Sequence, residues 1–187
     1  MTRMLISLMV FLWTVSAGWA GPVPYSLDIK ASKVAFFYSL GGRKIEGSFQ
    51  VSQAMTMVDL QDVRRSTLDV TIATKSVRAG DALVTIAMRG DDLLATKQYP
   101  SAHFVSSRVV PNANGARVTG DLTLKGVTRP VTLDAVFQRR ADAPTDNSEL
   151  ILQVTGAVSR KAFDISGYPD LVGDIITLNF QVHLNRE

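Results

Sequence analysis

Two histidines and no cysteine are all that the 187 residues offer among the strongest transition-metal ligands. His103 precedes Phe104 in "SAHFVSS", and His183 stands between Val182 and Leu184 in "NFQVHL". In a strand, neighbours point to opposite faces, so both histidines are expected to point away from the apolar face, a poor start for a metal site. The adjacent acids Asp91 and Asp92 follow a glycine, where capping or solvation is the ordinary use of such a pair. There is no Gly-x-Ser-x-Gly elbow for a serine nucleophile. "GGRK" at 41–44 lacks the spacing of a phosphate loop and reads as a hairpin turn. No residue is therefore assigned to catalysis or to a metal. What remains is a set of cations. Arg160 and Lys161, beside "AFDIS" at an expected strand end, could meet a phosphate or carbonyl oxygen at a pocket mouth; the alternative is a solvated pair. Arg89, Lys97 and Arg129 are read as surface charges.

The elements that would position these residues are strands. Apolar residues alternate with polar ones through most of the chain after residue 24, the signature of half-buried β structure. One face collects Val34, Phe36, Tyr38 and Leu40; then Ile45, Phe49 and Val51; then Leu68, Val70 and Ile72. Ala102, Phe104 and Ser106 follow, then Val118, Leu122 and Leu124, then Val131, Leu133, Ala135 and Phe137. The series closes with Leu150, Leu152, Val154 and Val158, and with Ile176, Leu178, Phe180, Val182 and Leu184. "PNANG" (111–115) and "KGVTRP" (125–130) read as hairpin turns, with Pro130 delaying the next strand. Residues 139–148 read as a longer polar loop. Only 79–100 breaks the alternation: it predicts a helix of two or three turns capped by Asp81, with Leu83, Ile86 and Ala87 at helical spacing, a break near Gly90 and a second short turn. This insertion is a candidate lid.

About eight antiparallel strands with one apolar face lose their exposed edges by closing into a barrel. A β-sandwich would bury the same faces, and the pattern leaves both open. The first β segment runs almost unbroken from Tyr25 to Leu40, which at about 3.3 Å per residue would reach on the order of 50 Å. An elongated barrel has an elongated apolar interior, suited to a chain-like lipid.

Residues 1–20 differ in kind. Arg3 precedes an apolar run over about 4–15, and Gly18 and Ala20 fall at the −3 and −1 positions of a cleavage site. This predicts a secretory signal peptide cleaved near Ala20 and one domain at 21–187; an uncleaved anchor is the alternative. No cysteine is available for a diacylglycerol anchor or for disulfides. The expected location is periplasmic, or secreted. The net charge of +3 is spread over scattered basic pairs without interleaved aromatics, so nucleic-acid binding is not supported.

The segments "YSLDIKASKVAFFYSL", "IEGSFQV", "YPSAHFVSS", "VTGDLTLKGVTRPVTL", "SRKAFDIS" and "VGDIITLNFQV", in this order, resemble the YceI-like proteins. The resemblance covers nearly all of 21–187. It implies an all-β fold: an elongated eight-stranded antiparallel lipocalin-like barrel with a short helical insertion. It further implies an exported, non-enzymatic protein that holds a polyisoprenoid chain, as polyprenyl phosphate or isoprenoid quinone, in an apolar tunnel for storage or transport. No cofactor is then required, and a bound isoprenoid lipid is expected. Transient membrane contact is an implied partnership, and the barrel is expected as a monomer or homodimer. The tunnel residues on this reading are Phe36, Tyr38, Phe49, Phe104, Leu122, Leu124, Leu133, Phe137, Leu178 and Phe180. Arg160, Lys161 and Ser32 would stand at the polar mouth. Two family histidines are replaced here by Ala31 and Ala87, so head-group contacts made through them are lost. Two other classes stay open: a structural or interaction barrel beside a membrane redox protein, and an exported enzyme acting on an isoprenoid.

Overall fold

A computed structural model of the chain describes residues 21–138 and 146–187. The expected signal peptide and most of the polar loop at 139–148 lie outside the described residues. Among the described residues nine strands occur in chain order: β1 (Val23–Leu27), β2 (Lys33–Leu40), β3 (Arg43–Val58), β4 (Thr67–Arg78), β5 (Ser101–Asn112), β6 (Gly115–Leu124), β7 (Val127–Phe137), β8 (Glu149–Ser159) and β9 (Ile175–Arg186). Among these residues one α-helix, α1 (Ala82–Arg89), lies between β4 and β5. Among the described residues the strand pairings are antiparallel, and β3 pairs with β4 to close the sheet. β1 and β2 share one lane, each flanked by β3 and β9. The nine strands therefore make a closed barrel of eight lanes, which decides against the sandwich.

Two sequence expectations are corrected here. The strand expected from Tyr25 to Leu40 is broken: residues 28–32 form a turn in which the Asp28 carboxylate accepts from the N–H groups of Lys30 and Ala31. The longest strand is instead β3, with 16 residues. Pro130 does not delay its strand. It lies inside β7, opposite Asp121. Its missing N–H removes no ladder bond to β8, because the β7–β8 pairing begins only at Leu133. The hairpin turn is Lys125–Gly126, both at positive φ.

The inward face matches the alternation read from the sequence. Phe36, Tyr38, Phe104, Val118, Val131 and Leu133 belong to the main apolar cluster, and Leu122, Leu124, Val154 and Leu178 pack against it. A second cluster of Tyr25, Leu150 and Leu184 lies at the end where β1 begins. The opposite end is covered by α1 and by residues 90–99 and 160–174, through Met88, Leu93, Leu94, Phe163, Ile165 and Val172. Asp81 caps α1 as expected, its carboxylate accepting from the Leu83 N–H at 2.8 Å. The helix faces the other way from the expected one, however. Leu83 and Ile86 are 77% and 66% exposed, whereas Met88 is buried and Val84 packs inward.

Candidate functional site

Alternation puts apolar side chains inside a closed barrel; it does not say whether they fill it. Here they do not. A continuous cavity of about 300 Å³ runs along the barrel, at the lower edge of the roughly 300–1,000 Å³ usual for ligand sites. Its lining extends from Leu27, Val58 and Leu184 at one end to Arg160, Ile165 and Val172 at the other. Apart from Ser32, Thr56, Ser66, Arg160 and the Tyr38 phenol, the lining side chains are apolar.

Glycines explain how large aromatic residues leave this space open. On the inward rows, Gly47 of β3 stands opposite Phe36 of β2 in the ladder. A methyl group added at Gly47 would lie 2.2 Å from Phe36 Cζ, so the ring lies flat over the glycine. Gly120 of β6 makes the same room for Phe104 of β5, and Gly156 of β8 for Leu133 of β7. Phe36 stacks further on Phe49, with ring centroids 4.9 Å apart. The rings line the wall and do not cross the bore.

All ten residues expected to line a tunnel do face this cavity: Phe36, Tyr38, Phe49, Phe104, Leu122, Leu124, Leu133, Phe137, Leu178 and Phe180. Tyr38 has a further task. Its hydroxyl donates to the Ala79 carbonyl at 2.9 Å and so ties down the start of the helical insertion. The polar trio separates. Ser32 lines the cavity, and its hydroxyl accepts from the His183 N–H. Lys161 is exposed and does not border the cavity. Arg160 is not the solvated residue of the sequence reading but is 4% exposed. Its Nε donates to the Gly173 carbonyl, Nη1 to those of Ile165 and Gly167, and Nη2 to that of Val172, all within 3.0 Å. It thereby knits the 160–174 segment into a cap. The adjacent Asp174 carboxyl is held below the usual range, first by the Lys161 N–H and then by the Ser159 hydroxyl.

The histidines stay off the cavity, as alternation required. His103 pairs outside with Asp69 at 2.6 Å. His183 is more covered than expected, with its side chain 13% exposed and Glu149 3.7 Å away. Ala31 and Ala87 border no part of the cavity. Among the described residues, no group of three or more His, Cys, Asp or Glu is placed to hold a metal ion, and no helix is long and apolar enough to cross a membrane. Sequence reading passed over the glycines at inward positions and, although it took 79–100 as a candidate lid, the apolar residues by which 90–99 and 160–174 pack on the barrel. The first had a visible signal, a glycine at inward parity inside a strand. The second had none.

Comparison with known proteins agrees with this architecture. A family model described as the YceI-like domain matches residues 25–184. The chain is 32% identical over 169 residues to protein YceI of Escherichia coli O157:H7, covering 88% of each chain. Among solved structures it is similar to Burkholderia cenocepacia BcnA, with a TM-score of 0.76 at 25% identity, over 84% of this chain and 99% of that one. It also shares its fold with a polyisoprenoid binding domain from Saccharophagus degradans implicated in plant cell wall breakdown, with a TM-score of 0.64 at 16% identity, over 88% of this chain and 99% of that one.

Proposed function

The chain belongs to the YceI-like family, and from that premise we propose that it is an exported protein that holds a polyisoprenoid chain in its barrel for storage or transport. The observation that carries the reading is the cavity: a bore lined almost wholly by apolar side chains along the length of the barrel. The polyisoprenoid-binding name of a structural neighbour supports the same ligand class. Each methylene taken from water favours binding by about 0.8 kcal/mol, before the costs of ordering are met. Several isoprene units therefore suffice without a strong polar anchor. Both a polyprenyl phosphate and an isoprenoid quinone have such a tail.

The work done is exclusion of water, and no covalent step belongs to it. Cargo of this kind does not travel free in water, so loading and release involve transient contact with a membrane. Residues 1–20 supply the export signal, and the mature chain begins at Gly21 in the periplasm or outside the cell. The open bore favours carriage over a barrel that only mediates interactions, which would pack its interior with its own side chains.

The test is native mass spectrometry of protein purified after export, with extraction and identification of what co-purifies. We expect adducts that resolve to isoprenoid lipids and a chain mass starting at Gly21. Protein that carries nothing and retains neither added polyprenol nor added quinone would remove the carrier reading. Recovery of chemically altered isoprenoid after incubation would replace it with an enzymatic one.

A further inference from the structure

Residues pack across both ends of the barrel, while its wall is interrupted beside β3. At the α1 end, Arg160 gathers four backbone carbonyls, Val172 bridges to Leu40, and Lys125 Nζ donates to the carbonyls of Asp91 and Asp164. At the other end, Tyr25, Leu150 and Leu184 form an apolar plug. The lane shared by β1 and β2 is different. On its β9 side it is sealed, because Asp28 N–H donates to the His183 carbonyl and His183 N–H to Ser32 Oγ. On its β3 side, pairing with β1 stops at Thr56 and pairing with β2 stops at Phe49. Residues 50–55 of β3 thus have no ladder partner in that lane. Two register shifts against β4, at Ser48/Gln50 and Val51/Gln53, fall at the same place. Such irregularities bend a strand.

A second cavity, of about 190 Å³, occupies this gap. Ile29, Ser32, Val34, Phe49, Gln50 and Val51 line it, and all but Ile29 and Gln50 also line the main bore. Two large apolar side chains are exposed here beside the polar Gln50, Ser52 and Gln53: Ile29 at 54%, and Met55, on the stretch of β3 without a partner in that lane, at 57%.

We propose that this gap is a lateral portal, through which the isoprenoid tail passes into the bore and in which the oxygen-bearing polar end of the lipid remains. The proposal rests on the isoprenoid reading above and adds to it a route and a seat. Its chemistry suits an oxygen-bearing end. An unpaired strand edge offers backbone N–H and C=O groups. The Ser32 hydroxyl, already accepting from His183, keeps its proton to donate. The Gln50 amide can both donate and accept. Ile29 and Met55 would let the rim rest against a bilayer, so that the tail moves from membrane to bore without crossing water.

Photo-crosslinking tests the seat. Two geranylgeranyl probes are used on the full mature chain, one with benzophenone replacing the polar end and one with it at the far end of the tail. The head probe is expected to label peptides containing residues 28–34 and 49–55, and the tail probe to label bore residues such as Leu124 and Val154. Head-probe labelling confined to 160–174 or 59–66 overturns the portal and leaves the isoprenoid reading standing. Failure of both probes to bind removes that reading and the portal with it. A Gln50→Trp variant tests the route, since Gln50 is exposed and bulk there narrows the gap. Its loading from prenol-containing vesicles is expected to slow by about tenfold with little change in Tm, whereas Leu83→Glu at the far cap loads normally. An unchanged rate for Gln50→Trp, or loss of loading in Leu83→Glu, overturns the route.

Discussion

Arg160 lines the bore, and its guanidinium also has a structural task that its place in the sequence does not announce. A guanidinium next to a strand end suggested an oxygen ligand, and it does bind oxygens: four carbonyls of its own chain. Those carbonyls come from residues 5 to 13 positions away, so nothing local in the sequence announces them. Arg160→Met leaves the buried Ile165 and Val172 carbonyls unpaired, at about 1–3 kcal/mol each. We expect Tm to fall by roughly 5–20 °C, with Arg160→Lys recovering only part of the loss because an ammonium cannot reproduce the fork. Thermal unfolding followed by circular dichroism measures both. Gly47 makes the complementary case. The three atoms nearest its added methyl all belong to the Phe36 ring, so Gly47→Ala displaces that ring from the wall into the bore. Overpacking of this kind costs about 1–3 kcal/mol, and we expect retention of long isoprenoids to drop more than that of short ones. A competition series of prenols of increasing length on wild type and variant checks this.

Among the elements, the turn between β3 and β4 is built around a buried carboxylate. Asp59 is 2% exposed, and its carboxylate accepts from the N–H groups of Gln61 and Asp62 while Arg65 Nη2 stands 2.5 Å away. The Asp62 N–H lowers its pKa most; burial opposes the shift, and Gln61 and Arg65 add to the lowering. A folded pKa below the unfolded value near 3.9 means stability that is full above that value and lost as pH falls through the folded pKa. Thermal unfolding of wild type and Asp59→Asn should therefore differ at pH 7 and converge as the pH falls below about 4. A constant difference down to pH 3 would show that the charge is not what holds the turn. The helix teaches a different lesson at this scale. Its length, cap and terminating glycine were legible, because they depend on residues within one turn. Its buried face was not: Leu83, Ile86 and Ala87 and Val84 and Met88 both form helical stripes, and only the position of the barrel selects the second.

For the whole molecule, the alternation from residue 33 onward assigned the inward rows with few errors, because a closed antiparallel sheet obliges every second side chain to face one interior. An all-β chain with inward apolar rows and a helical insertion was thus legible from the amino acids alone, through rules that act over a few neighbouring residues. Other features were settled only when distant segments met. These were the break at 28–32, the pairing of β3 with β4 that makes a barrel and not a sandwich, the burial of Arg160, and the lanes in which a glycine stands beside a phenylalanine. The hollow bore depends on that last pairing across strands. A residue's inward or outward face is set by its own backbone, but whether the interior is filled is set by which side chains oppose one another, and that is fixed by register between strands.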